Sequence, residues 1–175
     1  AALLVKGPPI LIFMGFFAVL LLLFHPLRWH LFRLHPWIFL PLACIPLLAW
    51  GRAAWLEDDG EFIKWFIDWY ILKRVGGSVL GQSAPFGTHF AFITVVFLPY
   101  LIFLPKIWKE SIKAAWQKNT EYLVLLLWFV AAWLPYEFSP SKLPAYTVAA
   151  HVPLAILIAK YIVKSGFNIQ KGWLM

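Results

Sequence analysis

Charge is scarce in this chain: Asp, Glu, Lys and Arg make up 13% of its 175 residues, against roughly 25% in a soluble domain. The shortage falls mostly on the acids, eight against fifteen bases, for a formal net charge of +7. Cysteine is almost absent. Cys44 stands alone within an apolar run, so the chain can form neither an internal disulfide nor a thiolate metal site. No Walker loop, dinucleotide fingerprint, Gly-x-Ser-x-Gly elbow or His-Glu-x-x-His helix occurs, which removes the phosphate-cradling, hydrolase and zincin signatures. There is no internal repeat of the transporter type. The basic excess falls in alternate loops rather than in one patch, so it reads as membrane topology and not as a surface for nucleic acid.

What is abundant is apolar and aromatic: 62% hydrophobic residues, 19% Phe, Trp or Tyr. These proportions imply an all-α integral membrane protein. A span needs about 20 apolar residues, or as few as about 17. Five stretches meet or approach this, at 8–24, 34–51, 85–105, 122–138 and 143–163. Pro36, Pro41 and Pro46 interrupt the second and are expected to mark kinks within a bundle. The first residue is alanine and the chain opens inside an apolar run, without a basic leader or cleavage site. The expectation is a segment of a longer protein, beginning within a membrane helix.

Loop charge sets the orientation. Residues 25–35 carry Arg28 and Arg33, residues 106–119 carry Lys106, Lys109, Lys113 and Lys118 against Glu110, and the tail carries Lys164 and Lys171. The positive-inside rule makes that side cytoplasmic. The outward loops, 52–84 and 137–142, are balanced. Within the longer one, Asp58 and Glu61 have capping-box spacing, and Glu61, Lys64 and Asp68 share a helical face opposite Phe62, Ile63, Phe66 and neighbouring aromatics. This predicts an amphipathic helix over about 59–74, lying in the membrane interface and ending at Arg74. "GGSVLGQS", residues 76–83, reads as a flexible connector. The acidic run Glu57-Asp58-Asp59 ahead of that helix suits capping better than acid–base catalysis. His25, His30 and His35 recur every five residues, a spacing that does not align them on one face, and no metal or cofactor site is read from them. His89 and His151 begin separate apolar segments with no evident partner.

Three outward cations sit beside rigid elements: Lys6 before Gly7-Pro8-Pro9, Arg74 at the end of the interfacial helix, and Lys142 before Pro144. Taken singly, each suits a snorkelling anchor. Taken together they suit an anion site at the membrane surface, for which a lipid phosphate is the natural occupant. Tyr146 offers either a phenolic donor to that site or an interfacial belt residue.

The ordered landmarks resemble those of a family. "SPSKLPAY", residues 139–146, is similar to the S-x-x-K-L-P-x-Y signature of polyprenyl-phosphate-dependent membrane glycosyltransferases, a group that includes the lipid A aminoarabinose transferases and bacterial protein mannosyltransferases. "VKGP" at 5–8, "AWG" at 49–51, Arg74 and "APF" at 84–86 resemble further landmarks in the same order. The resemblance implies a GT-C fold in the bacterial inner membrane, with its active side periplasmic or extracellular. A sugar would pass from a polyprenyl-phosphate donor to a lipid, glycan or protein acceptor. Lys6, Arg74, Lys142 and Tyr146 would be ligands of the carrier phosphate. The carboxylate that serves the acceptor belongs to a first outer loop, which these 175 residues do not contain, so the catalytic residue is unassigned and the chain would be inactive alone. Ile71 stands where aminoarabinose transferases often have a histidine, and Val75, Gly87 and Glu137 stand where aromatics are frequent. The alternative from another class is a non-catalytic membrane subunit or lipid transporter that binds polyprenyl phosphate.

Overall fold

A computed structural model describes residues 9–73 and 83–166. Among them the regular structure is helical, apart from one isolated antiparallel bridge between Ser83 and Ser141. The chain is an all-α membrane protein. Two helices, Pro36–Glu57 and Pro144–Ser165, are long and apolar enough to cross a bilayer, and a bent pair makes a third candidate. In hydrocarbon a helix satisfies all its own backbone groups, and long continuous apolar runs such as these meet that need as helices.

Helix α1 (Pro9–Phe24) leads through a 3-10 segment (Arg28–Leu34) to α2 (Pro36–Glu57). Pro36 occupies the first turn of α2, where its missing N–H breaks no intrahelical bond, while Pro41 and Pro46 lie inside. No residue of α2 is buried, and its apolar side chains face outward all round.

The turn Asp58–Gly60 reverses the chain into the short helix α3 (Glu61–Phe66), which continues as a π-helical segment (Ile67–Leu72). The capping box expected from Asp58 and Glu61 does not form: Gly60 is the N-cap, Glu61 pairs with Lys64, and Asp58 supports the turn from outside the helix, one carboxylate oxygen accepting from the Gly60 amide at 3.1 Å and the other from Phe62 at 2.8 Å. Gly60 has φ +81°, and a Cβ there would fall 2.7 Å from the Trp55 ring, so only glycine fits the turn. Lys64 pairs with Glu61 and lies 5.7 Å above the Trp55 ring, while Asp68 pairs with Lys73 at 2.8 Å. Arg74 and the connector after it lie outside the described residues, except for Ser83.

The core of the bundle is α6 (Thr120–Glu137), packed against α1, α5 (Leu104–Trp116) and α7 (Val148–Ser165). Ala131, Ala132 and Ala150 have no exposed surface, and these small side chains let α6 and α7 approach closely. Phe13 and Phe17 of α1 lie 6.5 and 6.2 Å from the Trp128 ring. The apolar run 85–105 is not one straight span. Helix α4 (Thr88–Val95) stops, and the chain resumes at Tyr100 with a bend of 114°. Pro99, which has no N–H to donate, lies in the break. Beyond it, α5 buries Leu104, Ile107 and Ser111 along one stripe and exposes Lys106, Lys109 and Lys113 along another. The basic stretch 106–119 is therefore largely an amphipathic helix. At that end of the bundle Lys164 meets Glu110 at 3.0 Å and Lys160 meets Glu121.

Candidate functional site

The opposite end gathers the start of α1, the start of α4, the last turn of α6 and the turn that opens α7. Pro144 begins a 3-10 segment (Pro144–Thr147) that runs directly into α7. Its fixed φ suits a first turn, and the chain before it, with Leu143 extended, delivers Lys142 to the mouth of the helix.

Lys142 does not project freely there. Its side chain is 4% exposed, and its ammonium donates both to the Glu137 backbone carbonyl and to Glu137 Oε1, the latter at 3.3 Å. Glu137, the last residue of α6, has a fully buried side chain and is the hub of the cluster. Oε1 also accepts from the Gly87 amide at 2.9 Å, and Oε2 accepts from the Phe90 amide at 3.2 Å and from Trp133 Nε1 at 2.6 Å. Gly87 and Phe90 are the N-cap and third residue of α4, so the carboxylate caps a helix that lies fifty positions earlier in the chain. Four donors on one carboxylate leave it no role as a proton acceptor. It is a counter-ion for Lys142 and an anchor for α4.

His89 is fully buried beside this cluster. Its Nε2 lies 3.1 Å from the Leu143 carbonyl, which can only accept, so that nitrogen carries the proton. The contact ties α4 to the residue following Lys142. Nδ1 of His89 is buried without a hydrogen-bond partner among the described residues.

Tyr146 is half-buried and stacks on Tyr136, with ring centroids 5.6 Å apart and 28° between planes. The Tyr136 hydroxyl donates to the Pro9 carbonyl at 2.5 Å. Through that bond the start of α1 is drawn to the same end as Tyr146. Of the four phosphate ligands expected from sequence, Lys142 and Tyr146 both lie on the turn that opens α7, Lys142 against Glu137 and Tyr146 against Tyr136, while Lys6 and Arg74 lie outside the described residues. Among the described residues no group of three or more His, Cys, Asp or Glu is placed to hold a metal.

Sequence reasoning missed Glu137, Gly87, His89 and Tyr136 as members of the cluster. One signal was present: Trp133 and Glu137 stand four apart on an apolar helix, and Lys142 follows within one loop, a spacing at which a buried carboxylate can be paired.

No protein-family profile and no solved structure matches the chain. Curated proteins do. It is 32% identical over 123 residues to an undecaprenyl phosphate-alpha-4-amino-4-deoxy-L-arabinose arabinosyl transferase of Wigglesworthia glossinidia brevipalpis, covering 69% of this chain and 21% of that protein. It is 33% identical over 122 residues to a like-named transferase of Proteus mirabilis, covering 68% and 21%. With that of Photorhabdus laumondii it shares 31% over 129 residues, covering 69% and 22%. The chain spans about a fifth of the length of these relatives.

Proposed function

This chain is a homologue of the undecaprenyl phosphate-aminoarabinose arabinosyl transferases, and from that premise we propose that it forms the carrier-binding portion of a membrane glycosyltransferase. The enzyme moves a sugar from a polyprenyl-phosphate donor to a lipid, glycan or protein acceptor. It works in the bacterial inner membrane, at the end of the bundle where α6 hands over to α7, and that end faces the periplasm. Lys142 and Tyr146, together with Lys6 and Arg74, hold the carrier phosphate while negative charge builds on it as the sugar departs. A cation in a largely buried setting stabilises that charge more strongly than one in water.

The single observation that carries this reading is the placement of Lys142: a buried ammonium, at a proline-started helix mouth, within one turn of Tyr146. A lysine that served only as a snorkelling anchor would extend its ammonium to the interface.

A second reading, a non-catalytic subunit or lipid transporter that binds polyprenyl phosphate, draws on a different observation. The one carboxylate in the described cluster is saturated with donors, so the cluster itself has no base for acceptor chemistry. Transfer of labelled sugar from an undecaprenyl-phosphate donor by the intact protein separates the two readings. Binding of undecaprenyl phosphate tests what they share: Lys142→Ala, Arg74→Ala and Lys6→Ala should each weaken it, and unchanged affinity in all three sinks the phosphate site.

A further inference from the structure

Lys142 has an anionic partner within the protein itself. The pair it forms with Glu137 is unequal. The carboxylate is held by three donors besides the lysine, from Gly87, Phe90 and Trp133, and keeps its position if the ammonium leaves. The ammonium is carried on a flexible four-carbon stem, and its two bonds in the cluster both go to Glu137. One member of the pair is anchored and the other is free to exchange.

We infer that Glu137 is a built-in competitor for Lys142: a positioning residue that holds the ammonium when no carrier phosphate is present and reclaims it when the phosphate leaves. The inference rests on the reading of Lys142 as a phosphate ligand. A phosphate oxygen and a carboxylate oxygen are both charged acceptors for the same N–H, so binding exchanges one charge-assisted bond for another. Affinity for the carrier is then the difference between two anions' hold on one lysine. A buried lysine without a counter-ion would bind the phosphate more tightly and release it more slowly. Glu137 therefore limits how firmly a spent polyprenyl phosphate is held, and it keeps the empty site from presenting an uncompensated charge.

The test measures binding and release of undecaprenyl phosphate by the intact protein in nanodiscs, as wild type, Glu137→Gln, Lys142→Ala and the double variant. Glutamine is nearly isosteric and removes the competing charge; it keeps one oxygen acceptor and turns an NH2 toward the other pair of the four donors. Glu137→Gln is expected to bind about tenfold more tightly, with most of the change in the off-rate. Lys142→Ala is expected to bind more weakly, and the double variant to match Lys142→Ala, because the glutamate acts only through the lysine. A residue with a merely structural role gives weaker binding when altered, never tighter. If Lys142→Ala weakens binding while Glu137→Gln leaves it unchanged or weaker, the competitor role is overturned and the phosphate reading stands. If Lys142→Ala has no effect, both fall. Should Glu137→Gln not fold, Glu137→Asp supplies the same test: it keeps the charge but draws it back by one methylene, so binding should tighten by a smaller factor, and unchanged or weaker binding overturns the inference.

Discussion

The backbone amide of Gly87 donates to Oε1 of Glu137 at 2.9 Å, joining two residues fifty positions apart. The bond makes the end of one apolar helix the cap of another. Helix α4 has only eight residues and would be marginal in isolation, so a carboxylate at its N-terminus contributes both hydrogen bonds and a favourable interaction with the helix dipole. The same carboxylate neutralises Lys142. A single side chain therefore connects helix start, helix end and the lysine-bearing turn.

That connection predicts an asymmetry between the two partners. Glu137→Ala strips the acceptor from two backbone amides, an indole and an ammonium at once, and should destabilise the protein by about 3–5 kcal/mol, the range for breaking a buried ion pair. Lys142→Met leaves Glu137 with three donors still in place, and the loss should be smaller, about 1–3 kcal/mol. Denaturant unfolding of both variants in the same detergent checks the order. A larger loss for Lys142→Met would contradict the anchoring of the carboxylate by the other three donors.

Tyr136 links α6 to the start of α1 by its hydroxyl and to Tyr146 by its ring. Tyr136→Phe removes the first and retains the second. The expected loss is about 1 kcal/mol, the net contribution of one hydrogen bond, with undecaprenyl-phosphate binding through the proposed Tyr146 contact little changed. Tyr136→Ala should lower both. Thermal unfolding and carrier binding, measured side by side on the two variants, separate the roles.

At the other end the ion pairs differ in kind. Lys164 with Glu110 and Lys160 with Glu121 are exposed, so solvent and salt screen them. Lys164→Gln should leave the unfolding midpoint unchanged within error, at low and at high salt alike. A clear loss of stability would mean that the Lys164–Glu110 pair ties α5 to α7 more firmly than its exposed setting allows.

How far the sequence could reveal these features depended on their range. The Pro144 helix start and the apolar character of every long helix are local, and local spacing announces them. The 114° bend was hidden because residues 85–105 are apolar on both sides of the break, and an unbroken apolar run reads as one span. The Glu137 cluster was hidden for a different reason. From sequence, Glu137 and Lys142 were two charges in an outward loop, and only the packing of α4 against α6 turns them into a buried pair. Gly87 and Glu137, both noted as departures from the aromatics frequent in related enzymes, turn out to be hydrogen-bonded to each other.

Two glycines provide a final contrast, since both have positive φ but only one is crowded. At Gly87, with φ +95°, a Cβ would meet no atom within 4 Å, so Gly87→Ala suffers backbone strain alone, on the order of 1–2 kcal/mol. At Gly60, with φ +81°, the added Cβ would also lie 2.7 Å from three atoms of the Trp55 ring. The indole cannot stay where it is. It must move, and Lys64, which lies over that ring, must move with it. Gly60→Ala should therefore disturb the turn between α2 and α3 more than Gly87→Ala disturbs the start of α4. Amide hydrogen exchange on the two variants reads each site locally: protection at Phe62 should fall further in Gly60→Ala than protection at Phe90 falls in Gly87→Ala. Equal losses would mean that strain at positive φ dominates and that the Trp55 ring yields without resistance.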